Sequence, residues 1–96
     1  MALLSEADID RELAGLDGWR LEPGERGSIA REFEFPDFAA AMAFVQRVGE
    51  AAEEANHHPD ILLHGWNRVR LSLMTHSEGG LTEHDFTMAG RFDALA

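Results

Sequence analysis

Cysteine is absent from this chain. That excludes disulfides, thiol nucleophiles and every zinc site built on thiolates, so any demanding chemistry falls to histidine, aspartate and glutamate. Long apolar runs are missing as well. No stretch approaches the roughly 18 to 20 residues that a bilayer span requires, and the segment Met1–Leu16, acidic and interrupted, does not read as a signal peptide. A cytoplasmic location without membrane contact is expected. Positive charge is scarce, with 8 basic residues against 18 acidic and a net charge of -10. Such a balance repels a phosphate backbone and an anionic membrane alike, so no direct nucleic-acid binding is expected. Against these absences stand five histidines, and they become the feature to explain.

A length of 96 residues suits one domain, 1–96, with no room for a second core. The 45% hydrophobic and 27% charged composition is that of a folded chain. A core this small gains limited stability, which makes self-association as a homodimer or homotetramer a natural supplement.

Ser5 and Asp8 have the spacing of a helix start, and Ile9, Leu13 and Leu16 recur at helical intervals up to the break at Asp17-Gly18. Trp19-Arg20-Leu21 precedes a Pro23-Gly24 turn. Ile29, Arg31, Phe33 and Phe35 then alternate with Ala30, Glu32 and Glu34, so a hairpin of two strands is expected. Arg31 falls on the apolar side of that alternation, where only an edge or strand-end position would accommodate it. Pro36 opens a long helix whose apolar stripe of Phe38, Met42, Val45, Val48 and Ala52 is assigned to the core. Ile61–Leu63 and Val69–Thr75, separated by the Gly65 break, predict a second hairpin. Thr82 with Asp85 is a capping box for a last helix carrying Phe86, Ala89, Phe92 and Leu95. The order αββαββα predicts an α+β fold, a four-stranded antiparallel sheet with three helices on one face.

Within this frame Pro59 biases His58 toward extended backbone, so the long helix should end near Asn56 and place His57-His58 at its exit. Glu53, four residues before His57, could reach that imidazole if the helix persists, or be an exposed charge. His76 follows a predicted strand, where functional residues commonly sit. Imidazoles titrate near neutrality and can both donate and accept protons. His64 and His84 are read as solvated side chains, Trp19 and Trp66 as buried hydrophobic area, and Asp85 as a capping carboxylate. A three-histidine zinc site is disfavoured, because adjacent His57 and His58 diverge and neither His-x-His nor His-x-x-x-His spacing occurs.

At these positions the chain resembles the pterin-4a-carbinolamine dehydratases, whose pattern is an acidic residue, three spacers, His-His-Pro, an aromatic, then a later His and Asp. Glu53, His57-His58-Pro59, Trp66, His76 and Asp85 match it in order. The likeness extends through Asn67-Arg68-Val69, Thr75-His76 and Gly80-Leu81-Thr82-Glu83, and covers nearly the whole chain. The segment Ile61–Gly65 departs from it, being one residue longer than in some relatives. The resemblance implies dehydration of a 4a-hydroxytetrahydropterin to a quinonoid dihydropterin, in support of aromatic amino-acid hydroxylation. It implies His57, His58 and His76 as catalytic residues, the first and last moving protons and His58 positioning. Asn56, His57, His58, Met74, Thr75, His76 and Ser77 would line the pterin, supported by Glu53 and Asp85, with neither metal nor organic cofactor. The competing class is a non-enzymatic binding module, since animal members of this family also serve as dimerisation partners and coactivators of a homeodomain transcription factor.

Overall fold

The computed structural model describes residues 2–22 and 27–96; the turn expected at Pro23-Gly24 lies outside them. Its elements run α1 (Glu6–Ala14), β1 (Arg20–Leu21), β2 (Ile29–Glu34), α2 (Phe38–Ala55), β3 (Asp60–His64), β4 (Arg68–Leu73) and α3 (Glu83–Asp93). The strands form one antiparallel sheet in the order β1-β2-β4-β3, with β3 an open edge. This is the α+β arrangement expected from the sequence. The first helix stops at Ala14, ahead of the expected break, and β4 ends at Leu73 with Thr75 continuing only as a bridge to Gly80.

Local chemistry sets these ends. The Ser5 hydroxyl accepts the Asp8 N–H at 3.2 Å to start α1, and Asp37 accepts the Ala40 N–H at 2.7 Å to start α2. Alternation along the strands then sorts side chains to two faces. Ile29, Phe33, Val69, Leu71 and Leu73 meet Ala41, Phe44, Val48, Ala51 and Ala52 of α2 and Phe86, Met88, Ala89 and Phe92 of α3, all buried. Phe44 is central, its ring 4.8 Å from that of Phe33 and 4.9 Å from that of Phe35. Ile9, Leu13 and Leu16 pack against the edge of this cluster.

Arg31 occupies neither an edge nor a strand end. It sits in mid-strand on the core side, paired across to Leu71. Its guanidinium donates to Asp93 Oδ1 at 2.8 Å and lies 4.4 Å from the Phe33 ring centre, while the Trp19 indole N–H reaches the same oxygen at 2.9 Å. An apolar stem and a paired head let an arginine take a core position. Trp19 is buried as expected, but Trp66 is 62% exposed, and at the head of the α2 stripe Phe38 and Met42 are 52% and 48% exposed. The buried face of α2 is Ala41, Phe44, Val48, Ala51 and Ala52, so Phe38 and Met42 lie off it, a rotation of the face that the periodicity of the stripe does not reveal.

The buried and exposed faces of α2 should therefore respond differently to truncation. Phe44→Ala is expected to lose about 3–5 kcal/mol and Phe38→Ala no more than about 0.5 kcal/mol. Urea unfolding of both variants measures this.

Candidate active site

The exit of α2 sets the geometry of the site. Asn56 takes the left-handed conformation (φ 51°, ψ 45°), which asparagine tolerates better than most residues, and it closes the helix with paired bonds. The Asn56 N–H reaches Glu53 O at 3.2 Å and the His57 N–H reaches Ala52 O at 3.0 Å. The chain reverses there, and the adjacent histidines part company. His57 is buried, at 8% exposure, whereas His58 is exposed and its Nε2 is paired with the Glu53 carboxylate. Glu53 thus meets His58 and not His57, because the left-handed residue interrupts the helical spacing that would have brought position 57 above it.

His57 turns inward to a buried carboxylate. Asp85, fully buried, accepts from His57 Nε2 at 2.7 Å on Oδ1. Its Oδ2 accepts from the Thr75 hydroxyl at 2.8 Å and from the Thr82 backbone N–H at 2.9 Å. The Thr75 and Thr82 hydroxyls are 2.8 Å apart, so with Thr75 donating to Asp85, Thr82 donates to Thr75. Asp85 is also the third residue of α3 and closes the expected capping box with Thr82. The positive end of the helix and three hydrogen-bond donors offset the cost of burying this charge. In neutral His57 the carboxylate holds the proton on Nε2, which leaves Nδ1 as the basic nitrogen.

The same carboxylate draws in the segment that carries His76. Thr75 is pinned by Asp85 and by its own backbone, its N–H bonded to Gly80 O at 2.9 Å and its carbonyl accepting from Gly79 at 3.0 Å. His76 and Ser77 follow on the exposed turn. Beside it lies a cavity of about 150 Å³ lined by Glu22, Ser28, Asp60, Ser72, Leu73, Met74 and His76. Asp60, two residues after His58, and His76 are both on its wall. Met74 and His76 are among its lining residues. Asn56, His57, His58, Thr75 and Ser77 are not among its lining residues. Asn56 caps the helix through its backbone and Thr75 is bonded to Asp85.

Two residues of this region escaped the sequence reading. His84 is half-buried, not solvated, with its ring centre 4.3 Å from that of His57 and the planes tilted by 40°. Burial pushes its titration below the ordinary imidazole value, as does the charge of His57, against a smaller opposing pull from Asp85. Its place directly before the motif acid was the available signal. Glu22 is the other. Burial works to raise its carboxyl, but hydrogen bonds from Ser72, Arg70 (2.6 Å) and Ser28 (3.2 Å) outweigh burial and hold it below the ordinary range. His64 is paired with Glu32 and takes no part in the Asp85 network. Among the described residues no group of three or more His, Asp or Glu is arranged to hold a metal ion, and no helix is long and apolar enough to cross a membrane.

Comparison with known proteins places the chain among its relatives. The family model for pterin 4 alpha carbinolamine dehydratase matches residues 2–95. A relative from Acidobacterium capsulatum, provisionally named as a pterin-4-alpha-carbinolamine dehydratase, is 52% identical over 95 residues, 99% of either chain. One from Mycobacterium tuberculosis with the same provisional name is 43% identical, covering 99% of this chain and 97% of its own. Among solved structures, a transcriptional coactivator/pterin dehydratase from Brucella melitensis superposes with a TM-score of 0.92 at 40% identity over 99% of both chains. A pterin dehydratase-like protein described as a RuBisCO assembly factor in the alpha-carboxysome gives 0.70 at 31% identity, over 82% of this chain and 89% of its own.

The lowered Glu22 carboxyl has a definite consequence for acid stability. Below the ordinary value of 4.5 the unfolded chain binds this proton and the folded chain does not, so stability falls with pH through that range. Glu22→Gln removes the contribution. Urea midpoints at pH 7 and pH 4 should therefore differ less in the variant than in the wild type.

Proposed function

The chain belongs to the pterin 4 alpha carbinolamine dehydratase family, and from that premise we propose that it removes water from a 4a-hydroxytetrahydropterin to give the quinonoid dihydropterin. The observation that carries this reading is the Asp85 carboxylate, which holds both His57 and the residue before His76. On this reading the two imidazoles, from segments distant in sequence, meet one small ligand.

The reaction needs a proton moved at two atoms. The N5 lone pair forms the C4a–N5 double bond as the C4a–O bond breaks, the hydroxyl leaves as water once protonated, and N5 gives up its own proton. His57, with Nε2–H committed to Asp85, offers Nδ1 as the acceptor. His76, exposed at the rim of the cavity, offers the donor. His58, paired with Glu53 at the same helix exit, positions the ligand and takes no part in the proton transfers. Glu22 and Asp60 on the cavity wall supply acceptors for the N–H-rich edge of a pterin. No metal or organic cofactor enters these steps, and the partner is the small-molecule pterin.

A non-catalytic binding role is the second reading, suggested by the coactivator and assembly-factor descriptions of the two structural neighbours. Turnover of synthetic carbinolamine separates the two, since a binding module gives no rate above the uncatalysed background. Under the dehydratase reading, His57→Ala and His76→Ala each lower kcat by about a hundredfold or more. His58→Ala chiefly raises KM, because it removes binding shared by ground and transition states. Steady-state kinetics of the three variants measures this division; an unchanged kcat in His57→Ala would reverse the assignment.

A further inference from the structure

His84 lies outside the family pattern, yet it touches the most buried histidine of the site. We propose that His84 is a positioning residue for His57, its ring packed on the His57 imidazole so as to hold that imidazole in the one orientation that pairs Nε2 with Asp85 and presents Nδ1 to the ligand. The inference rests on the dehydratase reading, in which His57 moves a proton.

A single hydrogen bond at Nε2 fixes a point on the imidazole and leaves the ring free to swing about that point. A contact on the ring face removes this freedom, and His84 supplies it at a centroid separation of 4.3 Å. The backbone makes the contact rigid. His84 is the residue immediately before Asp85 in the first turn of α3, whose start is locked by the Thr82–Asp85 capping box. The group that orients His57 by hydrogen bond and the group that orients it by packing are thus neighbours on one helical turn and cannot move independently.

The charge state of His84 suits this role. The charged groups that act on it are His57, from the segment after α2, and Asp85, from its own helix. Burial and His57 together favour its neutral form, so at neutral pH His57 meets an uncharged ring and can take up a proton without facing a cation at contact distance. Geometry of this kind matters to rate more than to affinity, because small misplacements of a reacting group cost catalysis steeply.

Two kinds of measurement test the proposal. In kinetics, His84→Ala lowers kcat about tenfold with KM little changed, and His84→Phe, which keeps a neutral ring, restores most of it. In ring-proton NMR without substrate, His84 titrates below the ordinary imidazole value in the wild type and moves up in His57→Gln, because the opposing charge is gone. Should His57→Gln not fold, the Ala and Phe comparison still decides. Wild-type kcat in His84→Ala, or equal loss in the Ala and Phe variants, overturns the proposal. So does a His84 titration unmoved by His57→Gln. A coupled NMR titration in a protein with no carbinolamine turnover would leave the contact standing and sink the dehydratase reading alone.

Discussion

A carboxylate buried away from water is tolerated only while its hydrogen-bond partners are in place, and Asp85 is such a group. Its three donors come from three parts of the chain: His57 after α2, Thr75 after β4 and Thr82 at the head of α3. Each junction is thereby tied to the others. Leaving a buried carboxylate without one of its hydrogen-bond donors costs about 1–3 kcal/mol or more, a substantial part of the stability of a domain this size. The interaction that arranges the candidate site is therefore also one that the fold needs, and the histidine geometry is as rigid as the packing around it.

The third helix does this work at both ends. Asp85 in its first turn gathers the site, and Asp93 in its last turn takes the Arg31 guanidinium and the Trp19 indole N–H, which secures the helix across β2. Between them Phe86, Met88, Ala89 and Phe92 fill the core. An acidic residue at the start of a helix is favoured by the local backbone dipole, and Asp85 uses that preference to carry a charge inward. Thr82 and Thr75, both hydroxylated and both buried, complete a polar network without an unsatisfied side-chain atom among the described residues.

Much of this was legible in the sequence, for reasons that also explain the rest. Alternation in Val69, Leu71 and Leu73 and the 3-to-4 spacing of Phe86, Ala89 and Phe92 give strand and helix faces directly, since each periodicity belongs to one backbone geometry. The αββαββα order leaves few antiparallel arrangements. Contacts between distant residues are another matter. Arg31 looks misplaced until Asp93, 62 positions on, is brought beside it. Glu53 was aimed at His57 by helical spacing, and the left-handed Asn56 redirected it to His58. Trp66 was assigned to the core by size, but it sits in the loop between β3 and β4 with φ at +60°, a strained position for so bulky a residue, and its ring faces solvent. His84 reads as solvated because its one signal, the place directly before Asp85, does not show that the helix start lays it against the His57 ring.

The dehydratase reading requires the segments carrying His57 and His76 to face one pterin. Ring-proton NMR of the wild-type protein, titrated with an oxidised pterin that cannot turn over, tests it most directly. The His57 and His76 resonances should both move, along a single binding curve with one dissociation constant. A response confined to His76, with His57 unmoved at saturation, would show that the buried histidine does not meet the ligand and would contradict the assignment of the site.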